Sequence, residues 1–146
     1  MTEVAFHSGL PDKLDYACRL LRKAWRQGVR VVVTGASQEL AQLDQALWVI
    51  EHEEFIPHLR LRAGEALPAH LKRTPIWLCE VPPAQAEATV VVNLGPGSVP
   101  CFDAFERVIE LVSTAEPDVA SGRQRWRQFV AAGATPVNRP YAATAH

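Results

Sequence analysis

The chain has 146 residues, 48% of them apolar and 21% charged, with a formal net charge of −1. This is ordinary globular composition, long enough for one domain that hides about two-thirds of its unfolded surface, and it excludes a global basic field for holding nucleic acid. Cys18, Cys79 and Cys101 are odd in number and widely spaced, which argues against a disulfide framework or zinc ribbon and for reduced thiols. The first residues lack a basic segment followed by an apolar one, and no apolar run approaches the roughly 20 residues of a membrane span. The expectation is a soluble, cytoplasmic protein.

Val4-Ala5-Phe6-His7 reads as a first strand, and Gly9 and Pro11 turn the chain. Asp12 can cap a helix in which Leu14, Cys18, Leu21 and Trp25 recur at helical spacing, closed by Gly28. Val29–Thr34 is a β-branched run of the kind that forms a buried parallel strand. After Gly35, Ser37 can cap a second helix carrying Leu40, Leu43, Ala46, Leu47 and Ile50, with Trp48 beside that stripe. Phe55-Ile56-Pro57-His58 is extended, because Pro57 restricts Ile56. Residues 63–74 have no sustained period and read as a loop. Ile76–Val81 and Thr89–Leu94 are further strands, followed by a Gly95-Pro96-Gly97 turn.

Phe102, Phe105, Val108, Ile109 and Val112 suggest a third helix. Pro117 suits the first turn of a fourth, which Gly133 ends. Strands alternating with helices predict an α/β, three-layer, Rossmann-like domain over residues 1–135, its mainly parallel sheet covered on both faces. A mobile tail is expected over residues 136–146.

The residue pattern gives no support for catalysis. The histidines show no i, i+4 pairing and no H-E-x-x-H, so neither a metal nor another cofactor is expected. Cys79 falls within a strand, where burial makes a thiol inert. His58, directly after a proline, reads as a surface or loop-packing residue. Thr34-Gly35-Ala36-Ser37 follows a strand, as phosphate loops do, but one glycine stands where a dinucleotide fingerprint needs three, and no Gly-Lys-Ser/Thr follows. A nucleotide-binding Rossmann-like enzyme is therefore the alternative reading. Direct nucleic-acid binding through Arg19, Arg22, Lys23 and Arg26 is a third, weakened by the near-zero net charge.

Near the end, Ser121–Gly133 interleaves Arg123, Arg125 and Arg127 with Trp126 and Phe129. As a helix it stacks Arg123 and Arg127 on one face beside Trp126. Such a face is either simply solvated or waiting for an anion. Trp48 and Phe55 flank an acidic segment elsewhere, and tryptophan with arginine is the usual composition of interface hot spots.

Several segments, in order, resemble the chi subunit of bacterial DNA polymerase III. These are Phe6, Ala24–Val31, Leu43-Asp44-Gln45-Ala46-Leu47-Trp48, Phe55-Ile56-Pro57-His58, and Arg123-Gln124-Arg125-Trp126-Arg127 with Gly133. The Leu-Asp-x-x-Leu-Trp segment followed by Phe-x-Pro-His is the most specific part. The resemblance implies a Rossmann-like fold without enzymatic activity of its own. It implies two partners: the psi subunit of the clamp loader and the acidic C-terminal tail of single-stranded DNA-binding protein, with DNA contact indirect. By motif position, the tail site is Arg123, Trp126 and Arg127, with Val112 contributing from the preceding helix. The psi face includes Trp48 and Phe55, a surface that in the family can also engage a repair helicase. Trp126 stands where the family often has tyrosine, and Val119 where it has a basic residue. On this reading Phe129 and Val130 anchor the helix to the sheet, and Arg125 is solvated on its other side.

Overall fold

The computed structural model describes residues 2–49, 56–61, 74–82 and 88–141. In chain order these form β1 (Glu3–Leu10), α1 (Lys13–Arg26), β2 (Val31–Thr34), α2 (Ser37–Val49), β3 (His58–Arg60), β4 (Ile76–Leu78) and β5 (Val90–Asn93). A 3-10 turn (Phe102–Ala104), β6 (Arg107–Ser113), α3 (Glu116–Ala131) and β7 (Val137–Pro140) follow. The described strands make one sheet in the order β3-β4-β2-β5-β6-β1-β7, and every pairing is parallel.

The valine runs explain this sheet. Val31, Val32 and Val33 are all buried, as are Val90, Val91 and Val92, because strands covered on both faces need apolar side chains pointing both ways. Alternation divides them between two cores. Val31, Val33, Val92, Ile109 and Leu111 meet Leu21 of α1 and Leu43 and Leu47 of α2 on one face. Val32, Val91, Val108 and Val112 meet Phe129 of α3 on the other, with Phe6 and Trp77. The result is the three-layer, Rossmann-like α/β arrangement that the strand–helix alternation predicts.

The helix boundaries follow local chemistry. The Asp12 side chain accepts from Asp15 N–H to cap α1, and Gly28 leaves the helix at φ +74°. Pro117 lies in the first turn of α3, and Gly133 follows its end at φ +90°.

Three expectations are corrected. The helix expected from Phe102 to Val112 is instead a 3-10 turn and the central strand β6. Its apolar residues match helical spacing, but Val108, Ile109 and Val112 are β-branched and buried on both faces, which suits a covered strand. The tail expected from residue 136 begins with a strand: Val137–Pro140 pair with β1, and Tyr141 N–H donates to Ser8 O at 2.8 Å. Its weak apolar pattern reflects an edge strand whose residues are all exposed. Finally, Val130 does not anchor α3. It is 53% exposed, while Phe129 beside it is buried.

Candidate functional site

Helix α3 crosses one face of the sheet with Gly122 and Phe129 inward. Gly122 is needed there, since a Cβ in its place would lie 2.9 Å from Val112 Cγ2. Val112 therefore stands on β6, beneath α3, and is buried. Trp126 is half-buried, its ring centroid 5.1 Å from that of Phe6 and inclined at 56°, and Phe6 in turn meets Phe129 edge-on. Arg123 and Arg127 are exposed one turn apart, and among the described residues neither forms an ion pair. Arg123, Trp126 and Arg127 thus share a flank on which two guanidinium groups border an aromatic surface. Planar guanidinium forks match carboxylates, and a half-buried indole offers apolar contact at little entropic cost.

Arg125 is not solvated. It is 2% exposed, and its Nε donates to Glu110 Oε1 at 2.8 Å. Its Nη1 donates to Ser121 Oγ at 2.5 Å. Glu110 also accepts from Asn93 Nδ2 at 2.9 Å, and Asn93 Oδ1 accepts from Thr34 Oγ1 and Gly95 N–H, both at 3.0 Å. Burial pushes the Glu110 carboxyl up to about 7, while Arg125 and Asn93 pull it down. Reading the chain by helical spacing misses this network, yet its signal is visible. Lone polar residues end or interrupt the runs Val90-Val91-Val92-Asn93 and Val108-Ile109-Glu110-Leu111-Val112. An inward acid in a covered strand calls for a cation.

The second face lies at the end of α2. Trp48 is 59% exposed, with its ring 5.3 Å from that of His58. His58 is itself a packed residue, its side chain 1% exposed, with Nε2 2.9 Å from Asp44 Oδ1 and Nδ1 2.7 Å from Ile56 O. Leu43, Leu47 and Ile56 are buried around this link. The two halves of the most specific sequence motif therefore hold each other. Phe55, expected beside Trp48, lies outside the described residues.

The strand–glycine–helix junction has a packing explanation. A Cβ on Gly35 would meet Leu94 Cβ at 3.0 Å, so glycine allows β2 and its turn to lie against Leu94. Beside it, a cavity of about 420 Å³ opens at the C-terminal edge of the sheet, where folds of this kind often take phosphates. Here Lys13 Nζ donates to Leu94 O at 2.7 Å and lies 3.2 Å from Asp118 and 3.4 Å from Glu39. Its charge is thus already engaged, and two carboxylates in the wall disfavour an anionic guest. Cys79 is buried just after β4, and burial pushes its thiol up to about 12, a setting without reactive thiolate. Among the described residues no group of three or more His, Cys, Asp or Glu side chains could hold a metal, and no helix is long and apolar enough to cross a membrane.

Solved structures share this architecture. The S. cerevisiae Dbp5 C-terminal domain bound to Gle1 matches with a TM-score of 0.60 at 9% identity, over 96% of this chain and 90% of that one. The C-terminal part of the Fun30 ATPase domain matches with a TM-score of 0.54 at 13% identity, over 76% of this chain and 44% of that one. At such identities the likeness is one of fold. Sequence relatives are more informative. DNA polymerase III subunit chi of Pseudomonas aeruginosa is 35% identical over 136 residues, 88% of this chain and 89% of that protein. Subunit chi of Haemophilus influenzae is 26% identical over 79% of this chain and 78% of its own length. That of Escherichia coli is 25% identical over 86% and 83% respectively. The family model described as DNA polymerase III chi subunit, HolC, matches residues 1–137. With that span and a relative of this identity, the chain belongs to the DNA polymerase III chi-subunit family.

Proposed function

We propose that this chain is a non-catalytic adaptor of the DNA polymerase III holoenzyme that links the clamp loader to coated single-stranded DNA. It binds the acidic C-terminal tail of single-stranded DNA-binding protein on α3 and the psi subunit through Trp48 and Phe55. The observation that carries this reading is the pair Arg123 and Arg127, exposed and without ion pairs among the described residues, beside the half-buried Trp126. Arg123 takes a terminal or side-chain carboxylate of the tail, and Arg127 meets the acids upstream. Trp126 receives the apolar end of the peptide, and Val112 supports that slot from below. Exposed charge pairs are screened beyond roughly 10 Å at 0.1 M salt, so single tails bind weakly and several tails on one coated strand supply avidity. The psi face also serves a repair helicase, and the adaptor works in the cytoplasm, with DNA contact indirect.

The test is binding of a fluorescein-labelled peptide that copies the tail. Arg123→Ala is expected to weaken it by about 2 kcal/mol, roughly thirtyfold, and to leave psi binding unchanged. Trp48→Ala is expected to do the reverse. Peptide affinity unchanged in Arg123→Ala rejects the site.

A further inference from the structure

Arg125 heads the largest fully buried side chains of the described chain, on the same helix as the exposed Arg123 and Arg127. At 3.6 residues per turn, Arg125 and Trp126 fall on opposite sides of the Gly122–Phe129 seam, each about 50° from it. That seam is a glycine against Val112 and one aromatic ring, an apolar contact that limits distance more than rotation. Rotating α3 to expose or bury Trp126 must therefore push Arg125 inward or drag it out.

We propose that Arg125, held by Glu110, is a positioning residue that fixes the rotation of α3 and thereby the presentation of Arg123 and Trp126 to an acidic peptide. This rests on the docking reading above. The guanidinium is tied to β6 through Glu110 at 2.8 Å, and Glu110 is tied to β5 through Asn93. Ser121, which accepts from Arg125, donates to Pro96 O at 3.0 Å, and one turn past Arg125 Gln128 bonds Ser98. Three residues on the Arg125 side of α3 are thus fastened to the 95–98 turn and its strands by directional bonds, while the opposite flank meets the sheet through the Trp126–Phe6 rings.

Stability alone does not account for a charge here. Apolar side chains of similar volume often replace a buried ion pair without loss, and the best-attested use of such pairs is to set register. The arrangement is also imperfect in energetic terms, because Arg125 Nη2 is buried without a hydrogen-bond partner. What the pair supplies is direction. A helix rotated by tens of degrees would leave two charges buried and unmatched.

The experiment compares the wild type with Arg125→Met/Glu110→Leu. It reads thermal stability, affinity for the labelled tail peptide, and NOE contacts between the Trp126 and Phe6 rings. The expected result is a folded double variant with weakened Trp126–Phe6 contacts and about tenfold lower peptide affinity, within the range for residues that act without touching the ligand. A folded double variant with wild-type affinity and wild-type ring contacts overturns the inference. If the double variant does not fold, Glu110→Gln keeps the shape of the acceptor while removing its charge, and it is expected to shift affinity and contacts in the same direction. Wild-type values in a folded Glu110→Gln overturn the inference equally. If the wild-type protein fails to bind the peptide, the docking reading falls, and the ring contacts alone decide whether Arg125 sets the rotation of α3.

Discussion

Asp44 on α2 accepts a hydrogen bond at 2.9 Å from His58 on β3, which stands just past the buried Ile56 that packs in the same core as Leu43 and Leu47. The bond fastens the end of the helix to the outer edge of the sheet and places the His58 ring under exposed Trp48. Asp44→Ala removes an acceptor from a ring nitrogen that is almost fully enclosed, so a loss of about 1–3 kcal/mol is expected. Asp44→Asn keeps an oxygen acceptor and should lose less. Urea denaturation of the two variants checks the order, and equal loss in both would deny the hydrogen bond its role.

Gly122 and Val112 form a matched pair. Gly122→Ala gains helix propensity of up to about 1 kcal/mol, but its methyl group must displace a stiff, buried valine, and overpacking of this kind costs roughly 1–3 kcal/mol. The single variant is expected to be destabilised. Adding Val112→Ala opens room for the new methyl, so the double variant should be more stable than the sum of the two singles. A double-mutant cycle reads this coupling directly.

What the sequence makes legible, and what it hides, follows from periodicity. The valine runs and the amphipathic α1 announce a covered parallel sheet, because burial on both faces leaves no alternative composition. Strand β6 escapes, since Phe102, Phe105, Val108, Ile109 and Val112 satisfy a helical template by coincidence, and a short apolar run cannot separate strand from helix by period alone. Mistaking β6 for a helix also hides Glu110 as an inward residue and leaves Arg125 as one more charge on a basic helix. Arg123, Trp126 and Arg127 were legible as a group because i, i+3 and i, i+4 neighbours share a flank on any helix. Val112 follows from family position, not from periodicity, and it lies beneath α3 against Gly122.

Strand β7 is an exposed edge of the sheet, and its sequence is suited to discourage pairing with other chains. Tyr141 N–H points to β1, so by alternation Arg139 and Val137 also turn their main-chain groups inward. Asn138 and Pro140 then turn theirs outward, with Pro136 one step before the strand. Proline has no N–H, which leaves the Asn138 amide as the outward donor between two prolines, a common protection for sheet edges. Replacing both prolines, as Pro136→Thr/Pro140→Thr, should restore a continuous row of donors. Light scattering is expected to show concentration-dependent self-association in that variant and none in the parent. A monodisperse double variant would mean that the edge is protected by other means.

The Glu110–Arg125 pair gives folding stability a pH signature. Burial holds Glu110 at about 7 in the folded chain, against 4.5 in the unfolded one, so the folded state keeps a proton that the unfolded state releases. A raised value means that this contribution is complete below about pH 4.5 and is lost as pH rises through 7. The slope is at most about 1.4 kcal/mol per pH unit. Two other groups act in the opposite sense. Burial and Arg139 hold His7 below its usual 6.5, so its contribution falls away as pH drops beneath that value. Burial works upward on Asp118, but the Ser113 amide and Lys13 outweigh it and hold the carboxyl below 3.8, so its stabilisation is lost only in stronger acid. The effect of Glu110 is therefore isolated between pH 6.5 and 8, where wild-type stability should decline with rising pH. In Glu110→Gln that decline should disappear while the acid limb set by Asp118 remains. Chemical denaturation carried from strong acid up to the Glu110 range reads both limbs, and a decline that persists in Glu110→Gln would assign the titration to another group.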